Sequence, residues 1–357
     1  MSIYQALQLN AAGSKALIKN ARDKQEKRKW LLVYLLKNFL TVAFCMVFVT
    51  AFTAAFGPEN SIAGVVVLLA VMVLRFADFG IQASHGIAVV FLTFAILAVG
   101  PYAAARAGLA GAFLINSLCI LGLLVLNCHN VMMSNHATFV LGYLLLLGYD
   151  VSGHAYVARV ISLFVGAVMC AAIFYKNHRH ISYKRAFGHL FREFDLGTSR
   201  TQWYLRLSLG VSSSLLAAGL LHLPRPMWVG VSAMSVLLPF TQDLVYRLKR
   251  RLPFGAVGCG VFAALYMALP ESMGPFIGIL GGIGVGFSAT YSWQTIFNTF
   301  GALAVAVGLL GFKGAILHRI LALALGSVYG AGFHWVMNRV VQHISLPGGV
   351  GNIEKEA

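Results

Sequence analysis

A short apolar run between two prolines constrains the fold of this chain more than any other feature. The run extends from Met227 to Leu238 and is bounded by Pro226 and Pro239. It is too short for an ordinary transmembrane helix, which needs about 20 apolar residues. An interrupted apolar segment is tolerated at membrane depth only where protein or a water-filled cavity surrounds it. The run therefore predicts a membrane protein in which this segment lies along an internal pathway.

A weaker copy of this arrangement lies in the first half of the chain. There Pro58 and Gly64 have the same spacing as Pro224 and Gly230. Matched short or proline-interrupted segments in the two halves of a membrane protein point to the place where a substrate crosses. We therefore expect both segments to contribute to one pathway.

Composition and charge place the chain in a lipid bilayer. It is 59% hydrophobic and only 11% charged, whereas a soluble domain is about 25% charged. The predicted topology puts 22 of the 27 Lys and Arg on the cytoplasmic side, which predicts a multi-pass protein of the inner (plasma) membrane with both termini cytoplasmic. A basic surface that faces anionic lipid accounts for the net charge of +16 without a nucleic-acid partner.

The apolar segments predict an all-α fold with about twelve transmembrane helices in two six-helix repeats of the same orientation. The first repeat covers residues 30–175 and the second covers residues 203–337. The remaining predicted parts are a basic amphipathic segment, a cytoplasmic amphipathic connector and a cytoplasmic tail, at residues 1–29, 176–202 and 338–357. The predicted spans are 30–56, 61–76, 84–100, 107–127, 133–149, 156–175, 203–222, 226–240, 253–269, 274–290, 292–311 and 314–337.

Matching residues favour an internal duplication. Arg159 with Gly166 recurs as Arg319 with Gly326, at an offset of 160 residues. Repeats of six spans share one orientation, so an axis along the membrane normal would relate them, and the pathway would lie at their seam. The alternative is a chance match of Gly and Arg in a sequence of biased composition.

The connector combines basic residues with apolar residues at helical spacing. This pattern predicts an amphipathic helix that lies along the inner leaflet. The apolar positions are Tyr183, Phe187, Leu190, Phe191 and Phe194.

Arg159 and Arg319 are the first candidates for substrate binding. Each lies near the outer start of a predicted span, and an arginine in the membrane is costly enough to mark a functional site. The planar guanidinium fork also binds both oxygens of a carboxylate. The alternative is that each arginine reaches the outer interface or pairs with a local acid such as Asp150.

Asp78 and Asp243 follow the two short spans on the cytoplasmic side, at matching positions within one residue. As proton carriers they would couple export to the proton gradient and make the proton a partner. The alternative is an ordinary ion pair at a helix end, between Asp243 and Arg247 and between Asp78 and Arg75.

Trp228 and Pro239 complete the candidate pathway. The flat ring of Trp228 could stack on an aromatic substrate, although anchoring at the membrane interface is the commoner role of tryptophan. Pro239 leaves a backbone carbonyl without its helical partner, which favours a wet cavity beside it.

The segment 226–258 resembles the fusaric-acid-resistance family of integral membrane transporters. The resemblance implies a transporter or channel for small organic anions, often aromatic carboxylates, because the wider group includes bacterial aromatic-acid exporters and plant aluminium-activated malate transporters. The chain departs from the family pattern at Pro253-Phe254, where Gly-Thr is usual, and its first-half copy lacks the tryptophan. The matching residues are Pro226, Met227, Trp228, Ser232, Ala233, Val236, Leu237, Pro239, Arg247, Arg251, Gly255 and Gly258.

The predicted function is export of small organic anions such as aromatic carboxylates, along a path between the two repeats. A passive anion channel, a non-transporting scaffold and a lipid-modifying enzyme are the alternatives. No activated nucleophile, metal-ligand set or paired acid is recognisable, so we expect no enzymatic activity, no metal and no cofactor. His129, at the inner end of a predicted span, is interpreted as a contact to lipid headgroups.

Overall fold

The structure is a computed structural model that describes residues 2–270 and 273–343, which are helical apart from short connections. This confirms the predicted all-α class. Single turns of 3-10 helix cover Pro58–Asn60 and Val131–Met133. The α-helices of the described residues are α1 Ile3–Gln8, α2 Ala11–Lys19, α3 Lys24–Phe56, α4 Ser61–Leu74, α5 Ala83–Arg106, α6 Leu109–Asn127, α7 His136–Gly148, α8 Gly153–His178, α9 His189–Arg192, α10 Ser199–Leu220, α11 Pro226–Val236, α12 Thr241–Ala268, α13 Gly274–Phe287 and α14 Tyr291–His343.

Six of these helices are long and apolar enough to cross a membrane, namely α3, α5, α6, α8, α12 and α14. Four shorter apolar helices accompany them, and these are α4, α7, α11 and α13. Such lengths and compositions are those of a multi-pass membrane protein.

Each of the twelve predicted spans contains a helix, although several boundaries move. The last two predicted spans are the two helical parts of α14, which meet at Gly311, where φ of 69° and ψ of 166° are not helical. Glycine adopts this conformation without the steric cost that a Cβ atom would add. The helix of the first predicted span, α3, begins at Lys24 instead of residue 30. That twelve helices cross the bilayer as two repeats stays a prediction, and the predicted tail lies outside the described residues beyond His343.

The prediction of an amphipathic helix in the connector is wrong, because only the single turn α9 is α-helical between α8 and α10. Backbone N–H and C=O groups that would bond to each other within a helix instead form hydrogen bonds with distant parts of the chain. The backbone N–H of Gln82 donates to the carbonyl of Arg185 at 2.9 Å, for example. Leu190 is buried, and Phe187 packs against the hydrophobic core. The connector therefore lies partly against the helix ends.

The described chain divides into two compact units that cut across the predicted repeats. Unit 1 comprises the residues up to Val47 together with Arg247–Ala324. Unit 2 comprises Phe48–Tyr246 together with the described residues from Leu325 onward. In unit 1, Lys37 Nζ donates to the carbonyl of Leu9 and to Ser14 Oγ, both at 2.8 Å, and so ties the short N-terminal helices to α3.

Unit 2 is built on close helix packing around a buried apolar cluster. Glycines bring the helices together, because a Cβ atom at Gly166 of α8 would lie 2.4 Å from Val67 of α4. A Cβ atom at Gly86 of α5 would lie 2.3 Å from the ring of Phe174 in the same way. Small residues allow such approach between helices in membranes.

The connections of unit 2 gather at two ends. The turns after α3, α5 and α7 meet at the first end, where Arg106 pairs with Asp150 at 3.1 Å and Arg159 contacts Asn60. The turns after α4 and α6 meet the connector at the second end. Helices that cross back and forth produce this alternation. The second end also collects the connections that the distribution of basic residues places in the cytoplasm.

Candidate substrate site

A cavity of about 540 Å³ opens at the second end of unit 2. Sites for small organic ligands typically measure about 300–1,000 Å³. The cavity brings together the α4–α5 connection, the α6–α7 connection, the connector and the segment that follows α11. Its lining residues are Asp78, Gly80, His129, Asn130, Val131, Met132, Tyr183, Arg185, Thr198, Arg200 and Phe240.

Two arginines of the cavity wall hold one carboxylate. Arg185 Nη2 lies 2.5 Å from Glu193 Oε1, and Arg200 Nη2 lies 3.1 Å from Glu193 Oε2. Each carboxylate oxygen thus receives one guanidinium group. Because two positive charges face a single negative charge, this wall keeps an excess of positive charge.

His129 lies between the two arginines and is the neutral member of the group. Arg185 contacts its Nε2 atom, and an arginine can only donate, so Nε2 accepts. Its Nδ1 atom lies 3.2 Å from Glu193 Oε2 and 3.1 Å from Arg200 Nη1. Burial lowers the pKa of His129, and the charges of Arg200 and Arg185 lower it further, against the opposing effect of Glu193. The imidazole thus bridges the basic wall without adding charge.

Asp78 lies on another wall of the cavity and is already hydrogen-bonded. Tyr183 Oη donates to Asp78 Oδ2 at 2.7 Å, and the backbone N–H of Gly80 donates to Asp78 Oδ1 at 3.0 Å. The bond to Asp78 favours the protonated phenol, and together with burial it raises the pKa of Tyr183 to about 12. The alternative pair with Arg75 is not formed, since that guanidinium lies over the ring of Phe76 at 5.2 Å.

Gly80 is required by both its backbone and its surroundings. Its φ of 68° lies in the left-handed region, and a Cβ atom would stand 2.5 Å from His129 Cδ2. We expect Gly80→Ala to lower the free energy of unfolding by more than the roughly 1–2 kcal/mol that the backbone conformation costs. Thermal unfolding of the purified protein would measure this loss.

Gly57→Ala is the matched control, because Gly57 has φ of 91° and no atom within 4 Å of an added Cβ. Equal losses for the two variants would show that contact with His129 adds nothing at Gly80.

The end of the proline-bounded run reaches the cavity. Helix α11 stops at Val236, and Phe240, the residue after Pro239, lines the cavity. The carbonyl of Leu237, released where the helix ends, accepts from Trp203 Nε1 at 3.0 Å in the interior. Trp228 is buried in α11, and Pro239 is buried beyond its end. The carbonyl that Pro239 leaves without its helical partner is that of Ser235, four residues earlier, and the wet cavity expected beside it stays a prediction.

Arg159 lies at the first end, away from the cavity, and its guanidinium group is bound to the chain. Nε donates to Asn60 Oδ1 at 3.0 Å, and Nη2 donates to the carbonyl of Glu59 at 2.9 Å. Nη1 donates to the carbonyl of Tyr149 at 2.5 Å. These bonds tie α8 to two connections, those after α3 and after α7, whereas Asp150 pairs with Arg106 instead. In the structure Arg159 thus holds these connections in position, and its role in substrate binding stays a prediction.

Arg319 and Asp243 are not cavity residues. Arg319 is buried in α14 within unit 1. Leu323, one turn further along α14, packs against Gly255. Asp243 is exposed near the start of α12. Of the six candidates, Asp78 lies in the cavity wall and Pro239 adjoins the lining residue Phe240. The functions of Arg319 and Asp243 stay predictions.

The sequence analysis missed the basic wall of the cavity. Arg185, Glu193 and Arg200 lie in a connector that was interpreted as a lipid-facing helix, and His129 as a headgroup contact. One signal was available, because Glu193 is among only 11 acidic residues in the chain and lies within a strongly basic segment. Asp195 is the other acid of this segment, and acids among many basic residues favour ion pairs. No metal site is formed by three or more His, Cys, Asp or Glu within residues 2–270 and 273–343.

Comparison with known proteins agrees with the resemblance of the proline-bounded segment. A family model described as "Fusaric acid resistance protein-like" matches residues 212–333. No curated protein and no solved structure matches the chain. The matched region contains α11 to α13, most of α14 and the segment 226–258 that carries the resemblance. Over residues 212–333 this membrane protein is similar to the fusaric-acid-resistance-like family.

Proposed function

We propose that the protein exports small organic anions, and aromatic carboxylates in particular, across the plasma membrane. One observation carries the proposal. At the wall of a cavity of ligand size, two arginines converge on the two oxygens of a carboxylate, that of Glu193. A site that holds a carboxylate of the chain in this way has the charge and the donor geometry to hold one from solution.

The other lining residues suit an aromatic anion. Phe240 and Tyr183 present rings to the cavity, and flat rings stack on an aromatic substrate with little loss of side-chain freedom. The excess positive charge of the wall formed by Arg185, Arg200 and Glu193 would also attract anions to that wall. The family match supports membrane transport as the general activity.

The wider pathway follows the sequence predictions. We propose twelve spans in two parallel six-helix repeats, with the path along their seam beyond the cavity. Arg159, Arg319, Trp228, Pro239, Asp243 and Asp78 are the proposed pathway residues. The proposed partners are the lipid bilayer, the organic anion and a proton as the coupling ion, and the protein is proposed to lack enzymatic activity.

The test is the accumulation of radiolabelled benzoate in cells with and without the protein. Export predicts lower accumulation in expressing cells, and coupling to protons predicts that a protonophore abolishes the difference. A difference that persists with the protonophore would identify a passive channel. Equal accumulation with and without the protein, across a panel of aromatic carboxylates, would overturn the proposal.

The topology makes a separate prediction. Reporter fusions at Arg200 and at Gly57 should lie on opposite sides of the membrane, with Arg200 in the cytoplasm, because basic connections stay inside. These positions belong to opposite ends of unit 2. Reporters on the same side of the membrane would contradict the proposed topology.

A further inference from the structure

A second arginine site lies inside unit 2, apart from the cavity. Arg206 of α10 is only 4% exposed. Its Nη1 donates to Asn338 Oδ1 at 3.0 Å, and its Nε has no hydrogen-bond partner. No ion pair joins Arg206 to a carboxylate within the described part of the chain. A buried guanidinium group without a counter-charge costs several kcal/mol, which an anionic ligand would offset.

The neighbours of Arg206 add donors instead of acceptors. Because arginine only donates, Asn338 must turn its Oδ1 towards Arg206, and its Nδ2 then donates to His334 Nε2 at 2.9 Å. The accepting Nε2 of the neutral ring leaves the proton on Nδ1. His334 is 3% exposed, and its Nδ1 has no hydrogen-bond partner. The cluster of Arg206, Asn338 and His334 thus offers spare N–H donors, and the group that satisfies them must be an acceptor.

The short helix α11 ends at the level of this cluster. Gly326 of α14 packs against Val229 and Ser232, and Gly330 packs against Ala233. The contacts advance in the same direction along both helices, so α11 and α14 run parallel here. His334 and Asn338 lie on the same face of α14 as Gly326 and Gly330, one and two turns beyond Gly330. Because α11 stops at Val236, this face of α14 extends beyond the end of α11. There Asn338 contacts Arg206 of α10.

The cluster is distinct from the cavity. Arg200, which lines the cavity, precedes Arg206 by six residues on α10, which corresponds to about 9 Å along the helix axis and to a different helix face. Arg200 is balanced by Glu193 at 3.1 Å, whereas the hydrogen-bond partner of Arg206 among the described residues is the neutral amide of Asn338.

We propose that Arg206, Asn338 and His334 form an anion-binding site within the helix bundle, which takes the carboxylate group of the transported organic anion. The identity of the anion rests on the proposed function, whereas the binding of an anion rests on the donor cluster alone. Arg206 would bind the carboxylate through Nε–H and its remaining Nη protons, and His334 Nδ1–H would bind it from the other helix.

The test is equilibrium binding of radiolabelled benzoate to the purified full-length protein in detergent. We expect two sites per chain in the natural protein and one in Arg206→Gln. Arg225→Gln is the matched control and should keep both sites, because Arg225 lies at the first end and donates to the carbonyl of Gly148 at 3.1 Å. His334→Phe keeps Arg206 and should weaken the second site about tenfold by removing one charge-assisted hydrogen bond.

Thermal unfolding separates ligand binding from a structural role. Without benzoate, Arg206→Gln should unfold at or above the temperature of the natural protein, since removal of an uncompensated buried charge relieves its desolvation cost. Added benzoate should raise the unfolding temperature less in this variant than in the natural protein. If Arg206→Gln does not fold, His334→Phe provides the same comparison.

The outcomes keep the two proposals apart. Unchanged site number and affinity in Arg206→Gln and His334→Phe would overturn the buried site and leave the export proposal standing. If the natural protein binds no aromatic carboxylate, the export proposal fails, and the buried site is then tested with acetate and chloride. An unfolding temperature that these anions raise equally in the natural protein and in Arg206→Gln would overturn the site, and a rise lost only in Arg206→Gln would support it.

Discussion

Replacing Arg200 with glutamine is expected to reduce benzoate export at least tenfold at low substrate concentration. Arg200 Nη2 holds one oxygen of the Glu193 carboxylate at 3.1 Å, and a substrate carboxylate would receive the same donor. A hydrogen bond to a charged group contributes roughly 1.5–3 kcal/mol, and each 1.4 kcal/mol corresponds to about a factor of ten in affinity. Initial rates of export over a range of benzoate concentrations should show a raised KM. Arg200→Lys should recover part of the loss, because the charge returns without the planar fork.

Arg192→Gln is the matched control for Arg200→Gln. It removes the same charge from the same connector, but Arg192 is exposed and does not line the cavity. Glu193→Gln should have the opposite effect and lower KM, since Glu193 competes with the substrate for both arginines. Equal effects of Arg192→Gln and Arg200→Gln would assign the loss to general surface charge and exclude a carboxylate site at the cavity.

Replacing Arg159 with alanine is expected to destabilise the fold by about 3–5 kcal/mol, because several buried acceptors would lose their donors. The guanidinium group donates to the carbonyls of Glu59 and Tyr149 and to the side chain of Asn60. Two of these acceptors lie in the connection after α3 and the third lies in the connection after α7, so the guanidinium group holds the two connections together. Arg159→Lys should restore only part of the stability, since an ammonium group cannot reproduce the fork.

The measurement for Arg159 is unfolding of the purified variants, together with export normalised to folded protein. Arg106→Ala is the control, because it removes an exposed arginine from the same end of unit 2, and its pair with Asp150 contributes little. Natural stability of Arg159→Ala together with lost export would show instead that the arginine acts on the anion, as the sequence hypothesis had it.

The predicted candidates and the observed site overlap at Asp78 because that residue has a local signature. An acid directly after a short apolar helix is rare in a chain with 11 acidic residues. The basic wall has no such signature. His129 and Arg200 are 71 residues apart in sequence, and Tyr183 and Asp78 are 105 apart. Only packing of the helices brings their connections to one end, so a local pattern cannot identify these pairs.

The partners of Arg159 also could not be identified from a local sequence pattern. Its cost in the membrane marked it as a candidate for substrate binding, and in the structure its guanidinium group is hydrogen-bonded to the chain. Sequence could not specify whether that partner is a substrate or the chain itself, because the carbonyls of Glu59 and Tyr149 become available only when two turns meet. The burial of Arg206 has the same origin, since it depends on α14, more than a hundred residues further along the chain.

The sequence by itself determined the properties that depend on neighbouring residues. Apolar length and composition specify a helical membrane protein, Pro239 follows the end of α11, Gly311 interrupts α14, and the segment from Pro226 carries the resemblance to the fusaric-acid-resistance family, which the family model also matches. The tertiary structure alone decided which charges meet. Electrostatic and hydrogen-bond energies depend on distance and burial, and these are set where distant helices pack. For that reason the carboxylate-binding wall around Glu193 and the donor cluster at Arg206 are visible only in the folded chain.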